Sequence, residues 1–293
     1  MVKQVAVYIA SHYREDREHI LGDVLDALAG WQNAILRVTV MSNLPNYEET
    51  GLIAKKASQF EKNGSRLTLE VVDGLANPRH LTWAHKKHIP KWIESAAARE
   101  DLFVYIEDDI LITDANFQYY LKALDVLKPK RLIPGFLRYE KADEGEVRLV
   151  DQIWPEYWER DRTRKINGTT YHACINPYWA GYVLDRDLAV EYAASDSFDL
   201  MRSEKVHDWT VMARAAMGLT YEKPPADLKT RIVIPLIDGM PHPDCLIWHR
   251  ANNYVSSAQS PNAKKTPEEV FQTESYSAYL ARKARRVVQR IKT

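Results

Sequence analysis

The chain has 293 residues, 45% hydrophobic and 27% charged, the balance of a soluble globular protein with a substantial core. Its 40 basic and 40 acidic residues cancel, which argues against nucleic acid or another polyanion as a partner of the whole molecule. Two cysteines, Cys174 and Cys245, are too few for a disulfide framework and lack the spacing of zinc ligands, so a reducing compartment is expected.

In chain order, QVAVYIA (Gln4–Ala10) predicts a buried strand, and Ile20, Val24, Leu28 and Trp31 then recur at helical spacing. AILRVTVMSN predicts a second strand, YEETGLIAKKASQFEKNG a second helix ending at Gly64, and RLTLEVVDG a third strand. HLTWAHKKHIPKWIESAAARE predicts a third helical stretch, broken at Pro90. LFVYI is a fourth strand that runs directly into Glu107, Asp108 and Asp109, before a helix around NFQYYLKALDVLKP. Four such β–α units imply an α/β protein with a largely parallel sheet flanked by helices. Ligands on such sheets bind beyond the carboxyl ends of the strands, where SHYRE and the acidic run both fall.

From Arg131 the character changes. RLIPGFLRYE, EVRLVDQIW and TTYHACINPYWAGYVLD predict strands rich in Trp and Tyr. Helices return at RDLAVEYAAS and HDWTVMARAAMG, and RIVIPLI and CLIWH are the last strands. SSAQSPNAKKTPEE reads as a linker. The tail from Ser275 carries six basic residues and no acidic one, with Tyr276, Leu280, Ala284, Val287, Val288 and Ile291 on one helical face. That pattern suits a helix lying on an anionic membrane surface, and equally a helix docked on its own domain. No run of 18 apolar residues exists, and MVKQVAVYIAS turns polar too soon for a signal peptide. A cytoplasmic location is expected, at the inner face of a membrane if the tail binds one.

Three adjacent carboxylates after a buried strand repel one another and call for a neutralising partner. No G-x-G-x-x-G or G-x-x-x-x-G-K-[ST] follows any strand, which argues against dinucleotide and P-loop sites. IASHYRE after strand one, YIEDDI after strand four, VHDWTVMARA downstream and IWHRAN late in the core together resemble the GT-A glycosyltransferases. These belong to the nucleotide-diphospho-sugar transferase superfamily, and the resemblance covers roughly Val5 to His249. It implies a GT-A type fold: a Rossmann-like, mostly parallel central sheet, a smaller mixed β region on the acceptor side and a C-terminal helix. Residues 1–255 would be one catalytic domain, with a nucleotide-binding half (1–130) and an acceptor half (131–255). Residues 256–274 would be a linker and 275–293 a basic amphipathic helix.

The resemblance also implies chemistry. The donor would be a nucleotide-diphosphate-sugar, a UDP-sugar before a GDP-sugar, and the acceptor a glycan or lipid-linked hydroxyl. Mn2+ or Mg2+ would stabilise the charge building on the leaving diphosphate. Carried over to this sequence, Asp109 is the direct metal ligand, Glu107 stands at the first position of the D-x-D motif and contacts the ribose or, through water, the metal, and Asp108 lies against ribose or sugar. Glu at that first position departs from the usual pattern. His249 would add a metal ligand, with His242 as the alternative. Asp208 would be the base of an inverting transfer, or simply the cap of its helix. His207 stands where the family usually has Glu, and Glu204 is the substitute. Ala10, Ser11, His12 and Tyr13 would hold the nucleotide, with Asp73, Arg79 and Lys86 as further contacts. Trp154, Tyr157, Trp158, Tyr178 and Trp179 would stack on sugar rings or belong to the core, and Gly181 would admit the donor sugar. Two rivals are a sugar-1-phosphate nucleotidyltransferase, whose glycine-rich first loop is missing here, and a non-catalytic carbohydrate-binding or scaffold protein.

Overall fold

The structure is a computed structural model that describes residues 2–95, 100–154, 156–157, 162–272 and 280–281, with side chains for all but 156, 157 and 272. The chain divides into two units. The first contains residues 1–118, 178–223 and 247–251, and the second contains 119–177, 224–246 and 252–293.

The first unit is built on a five-stranded sheet. Strands β1 (Lys3–Ser11), β2 (Ala34–Ser42), β3 (Arg66–Val71) and β4 (Leu102–Glu107) are parallel, and the strand Gly181–Asp185 runs antiparallel on the outer side of β4. The order is Gly181–Asp185, β4, β1, β2, β3. Val5, Val7 and Ile9 are 0% exposed, and Ala6 and Ala10 on the other face are also buried, as a sheet covered on both sides requires. Helix α1 (Glu18–Ala29) buries Ile20, Leu21, Val24, Leu25 and Leu28 along one stripe. The α/β class and the parallel sheet flanked by helices are as the sequence implies.

Three helices differ from their sequence-based extents. The helix expected from Tyr47 to Gly64 is two, Asn46–Glu49 and Leu52–Glu61, because Gly51 adopts φ 72° between them. The stretch around Pro90 is a 3-10 segment, Pro78–Lys87, followed by the α-helix His88–Glu94. Pro90 sits in the first turn of that helix, where its missing N–H leaves no bond unmade. The helix expected to start at Asp208 is only Val211–Ala215, and its cap is Thr210, whose hydroxyl accepts from the Ala213 amide at 3.3 Å. The reading of Asp208 as a helix cap is therefore corrected.

The second unit is mixed β. Thr163–Ile166 pairs antiparallel with Thr169–His172, which pairs with Ile232–Ile237, which turns back on Met240–Pro241. Ile133–Pro134 joins Ile232–Ile237 in parallel, and Leu137–Lys141 forms a hairpin with Val147–Leu149. Inside this unit Arg138 and Asp151 form a buried two-pronged ion pair, both contacts at 2.7 Å. Fully buried Glu140 accepts from the amides of Tyr254 (3.0 Å) and Val255 (2.6 Å). The linker stretch lies in this unit and contains the short helix Pro267–Val270, closed by a capping box from Thr266. Of the basic tail, only Leu280 and Ala281 are described, so the amphipathic-helix expectation lies outside the described residues. Among the described residues no helix is long and apolar enough to cross a membrane.

Candidate active site: an acidic cluster at the strand ends

The acidic run occupies the carboxyl end of β4 as expected, and each of its three carboxylates has a different environment. β4 is buried from Leu102 to Ile106, so it delivers Glu107 to the edge of the sheet as a fixed point. There the Glu107 amide donates to the Ala180 carbonyl (3.1 Å), and its side chain accepts from the Tyr178 hydroxyl at 3.0 Å.

Asp108 turns towards β1. Its Oδ2 accepts from the Ser11 hydroxyl at 2.6 Å, and Ser11 Oγ is also 2.6 Å from the Tyr47 hydroxyl. Ser11 and Tyr47 are 0% and 1% exposed, so this chain of polar groups is buried at its Ser11 and Tyr47 end and opens to solvent only at Asp108. Burial and the neighbouring charge of Asp109 push the Asp108 carboxyl up to about 7, against the pull of Ser11 and Arg17.

Asp109 is held from two sides. Its Oδ2 is 2.7 Å from Arg17 Nη2 and 3.2 Å from His249 Nε2. Arg17 also lies 3.8 Å from Asp108 Oδ1. Burial opposes the charge on this guanidinium, but the carboxylates of Asp108 and Asp109 outweigh it and raise its pKa. His249 reaches the site because its strand pairs with Ile110–Leu111 immediately after the run, His249 opposite Ile110. The next residue, Arg250, donates its amide to the Asp109 carbonyl (2.7 Å) and its guanidinium to Asp23 (2.6 Å), which fastens this strand end to α1.

The remaining expected residues are distributed around this centre. Ala10, the last residue but one of β1, lies opposite Glu107 in register. His12 is half-buried and its pKa is lowered by burial, partly offset by a hydrogen bond to the Pro78 carbonyl. The Tyr13 amide donates to Asn43 at 2.9 Å, and its ring meets Tyr47 edge-on at 4.9 Å. Asp73 is exposed just past β3, and Arg79 is exposed on the 3-10 segment. Lys86 is not available to a ligand. It is 5% exposed, donates to the carbonyls of Ser197 (2.8 Å) and Phe198 (3.3 Å), and lies 3.6 Å over the Trp83 ring.

Asp208 is exposed between His207 and Trp209. Trp209 donates to His207 Nε2 at 2.8 Å, and its ring lies 5.3 Å from that of Tyr178, the residue bonded to Glu107. Tyr178 and Trp209 thus connect the segment of Asp208 to the acidic run. Glu204, the substitute, pairs with Arg214 at 2.9 Å. Trp179 is 3% exposed and packs under Gly181, so it has no open ring face for a sugar. Trp154 (64% exposed) and His242, whose Nδ1 accepts from the Asp244 amide, lie in the second unit. The side chains of Tyr157 and Trp158 fall outside the described residues.

Arg17 and Tyr47 are the two members of the cluster that the sequence reading did not single out. Arg17 stands in the same charged turn, SHYREDR, that places Ser11, so an unassigned arginine beside an acidic site was the available signal. Nothing in NYEET marks Tyr47.

No family model matches the chain, and no curated protein matches it significantly. Among solved structures it is similar to PcManGT of Pyrobaculum calidifontis, a mannosyltransferase solved with GDP-Man and Mn2+. The identity is 12% and the TM-score 0.46, over 84% of this chain and 56% of that one. It is also similar to GlyE of Streptococcus pneumoniae, at 12% identity and TM-score 0.42, over 81% of this chain and 46% of that one. Both are glycosyltransferases. The chain spans about half the length of these structures. A likeness at this level concerns the path of the chain, and the chemistry of the site rests on its own residues.

For a divalent ion, the hard carboxylate oxygen of Asp109 and the imidazole of His249 have the right donor chemistry and already converge. Among the described residues no group of three or more His, Cys, Asp or Glu is arranged to hold a metal. Two protein side chains fit, and the other positions would fall to water and phosphate oxygens.

Proposed function

We propose that the protein transfers a sugar from a nucleotide-diphosphate-sugar to a hydroxyl of a glycan or glycolipid, using Mn2+ or Mg2+, with inversion at the anomeric carbon. The observation that carries this reading is the meeting of Ser11, Arg17, Asp108, Asp109 and His249 at the carboxyl ends of β1 and β4. Ligands bind at that edge of a parallel sheet.

Asp109 and His249 would hold the ion, which supplies charge stabilisation for the departing diphosphate. Asp108, fixed by Ser11, faces the donor and can accept from a ribose or sugar hydroxyl. Glu107 is oriented by Tyr178 rather than aimed at the ion. Tyr13, with its ring against Tyr47, borders the place for the base. Asp208, exposed beside Trp209, takes the proton of the attacking hydroxyl. The basic tail 275–293 would bring the enzyme to an anionic membrane carrying a lipid-linked acceptor.

One experiment tests the core of this reading. A panel of UDP- and GDP-sugars, with and without Mn2+, is screened for thermal stabilisation of the wild type, Asp109→Ala and Asp208→Asn. At least one donor is expected to stabilise the wild type by several degrees at about 100 times its dissociation constant, worth about 2.7 kcal/mol. Asp109→Ala should lose the metal-dependent part, while Asp208→Asn keeps the stabilisation and loses transfer. A response identical in wild type and Asp109→Ala would instead favour a non-catalytic carbohydrate-binding protein.

A further inference from the structure

Asp109 Oδ2 is the oxygen nearest His249 Nε2 (3.2 Å), so an ion shared by these two side chains is best placed to take it, and Arg17 holds the same atom at 2.7 Å. An ion such as Mg2+ bound to a carboxylate oxygen sits at about 2.0–2.1 Å from it and competes with the donors already there for its lone pairs. Guanidinium and metal are also like charges, so each lowers the affinity of this carboxylate for the other.

The two sides differ in how firmly they are held. Asp109 and His249 are 8% and 4% exposed, and both are anchored to the sheet through β4 and the strand pairing opposite Ile110. The Arg17 side chain is 28% exposed. It ends a three-residue 3-10 turn, Glu15–Arg17, that buries no residue, so its side chain can swing away without disturbing a strand or the core. A guanidinium leaving two carboxylates needs another anion, and a diphosphate is one that it grips in two-pronged fashion.

We propose that Arg17 is an exchangeable counter-ion of the donor site. It neutralises Asp108 and Asp109 when no donor is bound, and it releases Asp109 to a divalent cation when a nucleoside diphosphate takes the guanidinium. This rests on the donor-site reading above. It deepens that reading by making metal and nucleotide binding one linked event: each ligand raises the affinity for the other by the same factor. The arrangement also weakens metal binding in the absence of donor.

The test is binding of Mn2+ alone, followed by calorimetry or by the electron paramagnetic resonance of the free ion, and then with saturating UDP or GDP. The wild type should bind Mn2+ weakly alone and about fivefold or more tightly with nucleotide present. That comparison needs no variant, and absence of the enhancement overturns the exchange. R17Q should bind Mn2+ alone about tenfold more tightly than the wild type and show a reduced enhancement. R17K, which keeps the charge, should bind Mn2+ alone with near wild-type affinity, which shows that charge rather than side-chain volume is what matters there. Equal affinity for Mn2+ alone in the wild type and R17Q overturns the proposal but leaves nucleotide binding, and so the donor-site reading, standing. If no protein responds to UDP or GDP, the donor-site reading falls and the exchange with it. The separate comparison with Mn2+ alone tells the two failures apart.

Discussion

At the scale of single residues, the acidic run shows how three adjacent carboxylates are made tolerable by being made different. Glu107 has a phenol, Asp108 a serine hydroxyl, and Asp109 a guanidinium and an imidazole. The Tyr47–Ser11–Asp108 chain is centred on a fully buried serine, and its energetics can be read by a double-mutant cycle. Ser11→Ala removes the group that serves both neighbours, leaving the buried Tyr47 hydroxyl and the Asp108 carboxyl each without the bond to Ser11. A buried polar group stripped of its bond costs about 1–3 kcal/mol. Tyr47→Phe removes one end only, and a loss of about 1 kcal/mol is expected. The double variant should therefore be less destabilised than the two losses added, by about 0.5–3 kcal/mol, in thermal or urea denaturation. Strict additivity would mean that the three groups do not act as one network.

At the scale of elements, what was legible in the sequence was what local pattern dictates. β1 and β4 are apolar runs buried on both faces, and no other element type satisfies such a run at that length. The helix ends were less legible. Gly51 gives no sign in the sequence that it will turn left-handed mid-helix, and Thr210 took the capping role from Asp208 two residues earlier. Gly181 is the element-scale position where backbone approach decides the residue. A Cβ there would lie 2.5 Å from the Tyr105 carbonyl oxygen and 2.7 Å from Trp179 Cζ3. The first neighbour is backbone of β4 itself and cannot yield without moving the strand that carries the acidic run. Gly181→Ala is expected to destabilise by about 1–3 kcal/mol. At about 2–4 °C per kcal/mol, this is a drop in Tm of several degrees by scanning calorimetry. An unchanged Tm would mean that the antiparallel strand can lift from β4 freely.

At the scale of the whole molecule, the acidic centre was legible and its neutralising partner was not. The signal for Glu107 to Asp109 is contiguous, whereas Arg17 meets Asp109 across 92 positions and Tyr47 meets Ser11 across 36. Pairing at such separation is set by strand order, which periodicity does not encode. The second unit was legible as strands and turns, but its buried charges, Arg138 with Asp151 and Glu140 on two amides, have no local signature. Its two cysteines offer a direct measure of how tightly that unit is closed. Neither is in a disulfide; Cys174 is 5% exposed and Cys245 0%, and burial pushes the Cys245 thiol well up. Reaction needs a thiolate and access, so both should stay silent to a thiol reagent until the unit opens. Under native conditions labelling should be about a thousandfold or more slower than that of a small free thiol, and both groups should react once denaturant unfolds the chain. Because the labelled fraction follows the opening equilibrium, the rate in rising urea gives the stability of the second unit separately from that of the sheet that carries the acidic run. Rapid labelling of either cysteine in buffer would show that this unit opens at a cost of little free energy, with its buried ion pair exposed in the process.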